Sequence, residues 1–230
     1  MEHSVTWTGL LGIPYDWGSV ATGLFVMGVL IALGFRARAA AGAEGAIVPD
    51  EGLTARNVFE LLVESITSMA ESVIGHGSKP YVPILSCFFI FILFSNLLGL
   101  VPGFLPPTED FDITLALGVC SFLVFNYYGF KVAGMDYPKH LMGPMLALAP
   151  LIFLLELIGV MVRPASLALR LFGNMSGDHM VLAIFTDLTK LFIPVIFYFL
   201  GTLVSVIQAF VFMLLSMIYI GLSIAHDEGH

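Results

Sequence analysis

The chain is expected to fold as an all-α, multi-pass membrane protein. It should have about five membrane-crossing helices plus one interfacial amphipathic helix. The last two crossing helices should be long, steeply tilted and folded back as an antiparallel hairpin. Three observations carry this. Hydrophobic residues make up 58% of the 230 residues and charged residues 11%, with a mean hydropathy of +0.97, more apolar than a soluble domain can bury. Apolar runs long enough to span a bilayer recur, and around the first three of them the flanking segments alternate between Lys/Arg-free and Lys/Arg-bearing, as the positive-inside rule requires. The last two runs, 145–177 and 191–225, hold 33 and 35 residues, roughly 50 and 52 Å as helix against a hydrocarbon core of ~30 Å. They must be broken or tilted.

In chain order, 18–36 is an apolar run followed by Arg36 and Arg38, which reads as a crossing helix whose C-terminal end is cytoplasmic. A cleavable signal peptide would carry its basic residues before the apolar run, so that reading is rejected. A small-residue linker follows. Over 54–75, Val58, Leu62, Ile66, Met69 and Val73 recur every three or four residues, opposite Glu60, Glu64, Ser68 and Glu71. This amphipathic helix is expected to lie on the membrane surface, its acidic face solvated or docked to another subunit. The second span, 83–104, carries Asn96 near its outer end. The loop after it holds Pro106, Pro107, Glu109, Asp110 and Asp112 without a basic residue, and is expected outside. The third span, 112–131, returns to Lys131, Lys139 and His140. The two long helices, 145–187 and 191–225, complete the set, placing the N-terminus outside and the C-terminus in the cytoplasm. All of 1–230 reads as one membrane domain.

Composition excludes several classes. The net charge of −8 argues against nucleic acid. Cys87 and Cys120 have no CxxC partner and read as buried small hydrophobes. The six histidines show no HxxxH spacing, and no Walker A loop or GxGxxG motif occurs, so neither a metal nor a cofactor is expected.

The chemistry concentrates in 163–179, RPASLALRLFGNMSGDH. A guanidinium at bilayer depth costs at least ~2.5–3.5 kcal/mol on insertion scales and cannot shed its proton to escape. At about 100° per residue, Arg163, Ser166, Asn174 and Gly177 all fall within about 40° of Arg170, forming one polar stripe on an apolar helix. Asp178 lies about 80° away and His179 about 180° away. Glu156 returns close to the stripe about 21 Å before Arg170. A turn centred near Thr189 would bring Gln208 opposite Arg170. Ionisable groups thus flank the arginine on both sides without bridging it, as two half-channels separated by a permanent cation would require.

RPASLALRLFGNM, together with QAFVF at 208–212, resembles subunit a of the F-type ATP synthase, bacterial type. SNLLGLVP at 95–102 and DFDITLALG at 110–118 are more loosely similar. The resemblance implies a non-catalytic stator subunit in the bacterial cytoplasmic membrane, forming two offset half-channels against a rotating c-ring. The c-ring and peripheral-stalk subunit b are the implied partners, beside membrane lipid, and the ion is a proton rather than sodium. By the match, Arg170 would face the ring carboxylate, with Gln208 orienting it and Asn174 and Ser166 hydrating the stripe. Glu156 would mark the exit side. Asp178, His179, Asp112 and Asn96 would belong to the proton path. One departure stands out: the family often has a carboxylate at the position of His179 and a histidine at that of Gly201. The missing group must come from elsewhere, Asp112 being one source.

Three other readings stay open at this point. Arg170 could pair with a buried acid and only fix helix packing. The chain could be a secondary transporter, which predicts internal repeats that are not found. It could also be a structural anchor, which leaves the stripe without a purpose.

Overall fold

A computed structural model describes residues 7–10, 12–14, 17–41, 55–75, 77–134, 149–189 and 192–225. Among them are seven α-helices: α1 (Trp7–Leu10), α2 (Gly18–Ala41), α3 (Ala55–Val73), α4 (Val82–Gly99), α5 (Phe111–Ala133), α6 (Ala149–Leu188) and α7 (Phe192–Ala225). A 3-10 turn, Pro107–Glu109, precedes α5. Five helices, α2, α4, α5, α6 and α7, are long and apolar enough to cross a membrane. Lys139, His140, the start of the first long helix at Met145 and the chain's last five residues lie outside the described residues. The contacts gather into two compact units, Met1–Pro107 and Thr108–His230.

In the first unit, α4 opens with Pro83 in its first turn, where a missing N–H costs nothing. It stops at Gly99, five residues before the end expected from hydropathy. Pro102 and Gly103 explain this: proline disfavours helix for the residue before it, and Gly103 takes φ +91°. The turn is tied down by Trp7, whose backbone N–H donates to the Gly103 carbonyl at 3.0 Å and whose indole N–H donates to that of Pro102 at 3.2 Å. α3 contacts α4. It buries Ile66 and Ala70 and leaves Glu60, Glu64, Ser68 and Glu71 exposed, together with Val58 and Val73 of the apolar stripe.

In the second unit α5, α6 and α7 all contact one another. Asp110 caps α5, its carboxylate accepting the Asp112 N–H at 3.0 Å. Gly118 lets α5 approach the backbone of α6: a Cβ there would lie 2.6 Å from the Pro164 carbonyl oxygen. Pro164 sits inside a helix that runs unbroken for 40 residues. The core is built from Phe125, Leu167, Ala168, Leu171, Met175, Ala209, Phe212, Met213 and Met217. Ser121 and Ser216 share a buried hydrogen bond of 2.8 Å between α5 and α7. Cys87 and Cys120 are exposed, contrary to the expectation of burial. They lie on outward faces of apolar spans, where lipid instead of protein provides an apolar surround.

α6 and α7 form the expected hairpin, in a register shifted from the sequence reading. Arg163 stacks on Tyr219, Asn174 bonds Gln208 and Phe185 stacks on Phe197, three pairs sharing one sequence midpoint at residue 191. The reversal falls later than the expected Thr189 because that residue still belongs to the helical ladder. Both its N–H and its hydroxyl donate to the Phe185 carbonyl, each at 3.0 Å.

Candidate functional site

The helical register of α6 sorts its side chains onto three faces. Arg163, Asn174 and Phe185, at about 20–60° from Arg170, meet α7. Pro164, Ala168, Phe172 and His179, at about 120–200°, turn to α5 or the turn before it. Arg170, Gly173 and Gly177, between about 0° and −60°, are exposed, with Ser166 half-buried beside them. A Cβ added at Gly173 or Gly177 would meet nothing within 4 Å, so this face is open to close approach.

Arg170 makes no hydrogen bond, ion pair or ring contact with any described residue. The packing alternative, in which it is held by a buried acid, therefore has no acid among the described residues. Gln208 is buried at 3% exposure and accepts a hydrogen bond of 2.6 Å from the Asn174 amide. It was expected opposite Arg170. The later chain reversal moves it one turn, about 6 Å, toward the hairpin tip and pairs it with Asn174. Ser166 has no side-chain hydrogen bond among the described residues.

The two arginines of the stripe differ sharply. Arg163 lies 3.7 Å from a Glu156 carboxylate oxygen. Its guanidinium carbon sits 5.9 Å from the Phe125 ring centre and 5.5 Å from that of Tyr219. A cation–π pair on each side and a partner carboxylate offset its desolvation. The sequence placed Arg163 and Glu156 near one stripe, but the aromatic box comes from α5 and α7 and was not legible.

Beyond Arg170 toward the hairpin tip, the structure brings together a pair that sequence reasoning missed. His179 Nδ1 lies 3.1 Å from Glu109 Oε2. Asp112, named as a source of the missing group, is instead exposed. Glu109 stood in the same acidic run as Asp110 and Asp112, and only the turn before α5 distinguishes the three. Asp178 is half-buried, and its Oδ2 has no hydrogen-bond partner among the described residues. Gly201 is buried on α7. Asn96 is fully buried on α4, in the first unit.

A multi-span helical protein whose polar stripe centres on an arginine left unneutralised by the described residues belongs to the class of ion-translocating membrane subunits. Comparison with known proteins makes this specific. The model of the family described as ATP synthase A chain matches residues 20–221. The chain is 44% identical over 228 residues to ATP synthase subunit a of Bdellovibrio bacteriovorus, covering 98% of this chain and 100% of that protein. Identity to ATP synthase subunit a of Geobacter sulfurreducens is 47% over 175 residues, 76% of each chain. With that of Geotalea daltonii it is 40% over 222 residues, 96% of this chain and 90% of the other. The chain belongs to the subunit a family of ATP synthases, the non-catalytic, proton-conducting stator subunits of the Fo sector.

Proposed function

We propose that Arg170 is the fixed charge dividing two half-channels, and that a c-ring carboxylate passes it on the open face of α6. The observation that carries this is the lack of any partner for Arg170 among the described residues, on a helix otherwise fit to cross a membrane. An arginine in that setting needs a counter-charge or water from outside the chain. Gly173 and Gly177 beside it leave room for a neighbouring helix to approach closely.

In this reading protons enter from outside along the tip side of α6, past His179 and Asp178, and load a ring carboxylate. After nearly a full turn of the ring they leave toward the cytoplasm past Glu156. Arg170 draws each returning carboxylate into its ionised state, which releases the proton before passage. Opposite charges at about 4 Å interact by ~4 kcal/mol at an effective dielectric of 20, about three pKa units. Asn174 holds Gln208 one turn from the arginine on the tip side, and Ser166 hydrates the stripe. The role of the exposed Asp112 reduces to lining the outer approach. Arg36, Arg38 and Lys131, set against the acidic loop before α5, favour an external N-terminus and a cytoplasmic C-terminus, and the bacterial relatives favour the inner membrane. Peripheral-stalk subunit b is the remaining partner of this reading.

The test is Arg170→Ala in the assembled complex, reconstituted in proteoliposomes. ATP-driven acidification should vanish while passive proton flux under an imposed gradient stays or rises. Arg170→Lys, which can deprotonate when desolvated, should also uncouple, with less leak than Ala. Pumping at wild-type rate in Arg170→Ala would refute the half-channel reading.

A further inference from the structure

We infer that Glu109 is the carboxylate that passes external protons to His179, so that the entry relay of this chain joins α6 to the turn before α5 and does not use α7. The inference rests on the half-channel reading above and names residues within its entry side.

Four observations support it. His179 Nδ1 lies 3.1 Å from Glu109 Oε2, within reach of direct proton exchange. The side chains are 20% and 34% exposed, so the pair is neither sealed in the core nor fully in solvent. The one group on α7 that could have completed a relay at the position of Gly201 is absent, since glycine has no side chain to titrate. Glu109 is also free of the capping duty that occupies its neighbour: Asp110, not Glu109, caps α5.

The register of α6 supplies the onward direction. His179 lies about 180° from Arg170, Asp178 about 80° and Asn174 about 40°, so the three step round the helix from the α5 side toward the stripe. Asp178 Oδ2 is buried without a hydrogen-bond partner among the described residues, and so has an acceptor site to offer. In proton terms, Glu109 takes a proton from external water and gives it to Nδ1 of neutral His179. The resulting imidazolium releases the proton on its other nitrogen toward Asp178. The neutral ring is left protonated at Nδ1, and rotation about Cβ–Cγ presents the free nitrogen to Glu109 again. No bond other than those to hydrogen changes, and no charge accumulates over the cycle.

A merely structural pair would only pin the turn against α6. Assembled ATP synthase carrying Glu109→Gln/His179→Gln separates the two roles, because two amides keep a hydrogen bond and exchange no protons. Passive proton conductance after removal of the soluble sector, ATP-driven pumping and the amount of assembled complex are measured in inverted vesicles. The double amide and the single Glu109→Gln should each lower conductance and pumping at least tenfold with assembly retained. Glu109→Asp should keep most of both, and the exchange Glu109→His/His179→Glu should recover at least a third of wild-type conductance. Wild-type conductance in the double amide, or an exchange variant no better than Glu109→Gln, would overturn the relay. Arg170→Ala run in parallel keeps the readings apart: if it uncouples as expected while the Glu109 variants conduct normally, only the relay falls.

Discussion

Replacing Gly118 by alanine tests whether the approach of α5 to α6 positions the arginine stripe. The added Cβ would lie 2.6 Å from the Pro164 carbonyl oxygen and 3.4 Å from Ala168 Cβ. The second distance is ordinary contact. The first is too short by several tenths of an ångström, and a backbone oxygen cannot swing aside as a side chain does. The helices must separate locally, at a point six residues, about 9 Å, before Arg170. Overpacking of this kind costs about 1–3 kcal/mol. Gly118→Ala should therefore lower the thermal dissociation midpoint of the detergent-solubilised complex and reduce ATP-driven pumping several-fold. Gly118→Val should prevent assembly. The decisive arm is the double variant Gly118→Ala/Ala168→Gly, which removes the tolerable contact and leaves the backbone clash. It should remain as impaired as the single variant. Full recovery would mean that side-chain crowding limits the approach, and the argument from Pro164 would be wrong.

Two further expectations follow from the hairpin and the aromatic box. Cysteine pairs at Asn174/Gln208 and Phe185/Phe197 should form disulfides on mild oxidation, whereas Arg170/Gln208 should not, because it is displaced by one turn of about 6 Å. A dominant Arg170/Gln208 crosslink on gel analysis would restore the register expected from sequence alone. Arg163→Gln should destabilise the membrane sector by about 1–2 kcal/mol through loss of its two ring contacts, read as a lower dissociation midpoint. Arg163→Lys should recover part of that loss, and an unchanged midpoint in Arg163→Gln would leave the box without energetic weight.

Much of the architecture was legible because lipid imposes simple constraints. An apolar run long enough to span, bounded by loops of alternating charge, leaves little choice but helix. Arg170 was legible for the same reason: a cation inside such a run is costly enough to demand a purpose. Other features depended on interactions outside these patterns. The hairpin register turned on one threonine that prolonged α6, a local hydrogen-bonding detail that hydropathy does not encode. Glu109 could not be told from Asp110 and Asp112 without knowing which of them begins the helix, since capping engages one acid and frees another. The early stop of α4 was foreshadowed by Pro102 and Gly103, yet the apolar residues around them concealed it.

The contrast between Arg163 and Arg170 bears on why a subunit of this family needs a second body at all. Both arginines lie on one stripe, seven residues apart on a single helix. The chain surrounds Arg163 with everything a desolvated guanidinium requires: a carboxylate on its own helix and an aromatic face from each neighbouring one. For Arg170 the described residues offer nothing comparable, although Gln208 and Asn174 stand near enough in register to have been recruited and bond each other instead. A cation already facing Glu156 and two aromatic rings, as Arg163 does, would hold a passing carboxylate more weakly. A cation left bare can hold a carboxylate and then release it to the next, which repeated passage demands. The asymmetry follows from supply: α5 and α7 bring polar or aromatic partners to two faces of α6 and leave the third open. The third face is the one left for a partner of Arg170, and on the reading proposed above the negative charge that meets it comes by that face.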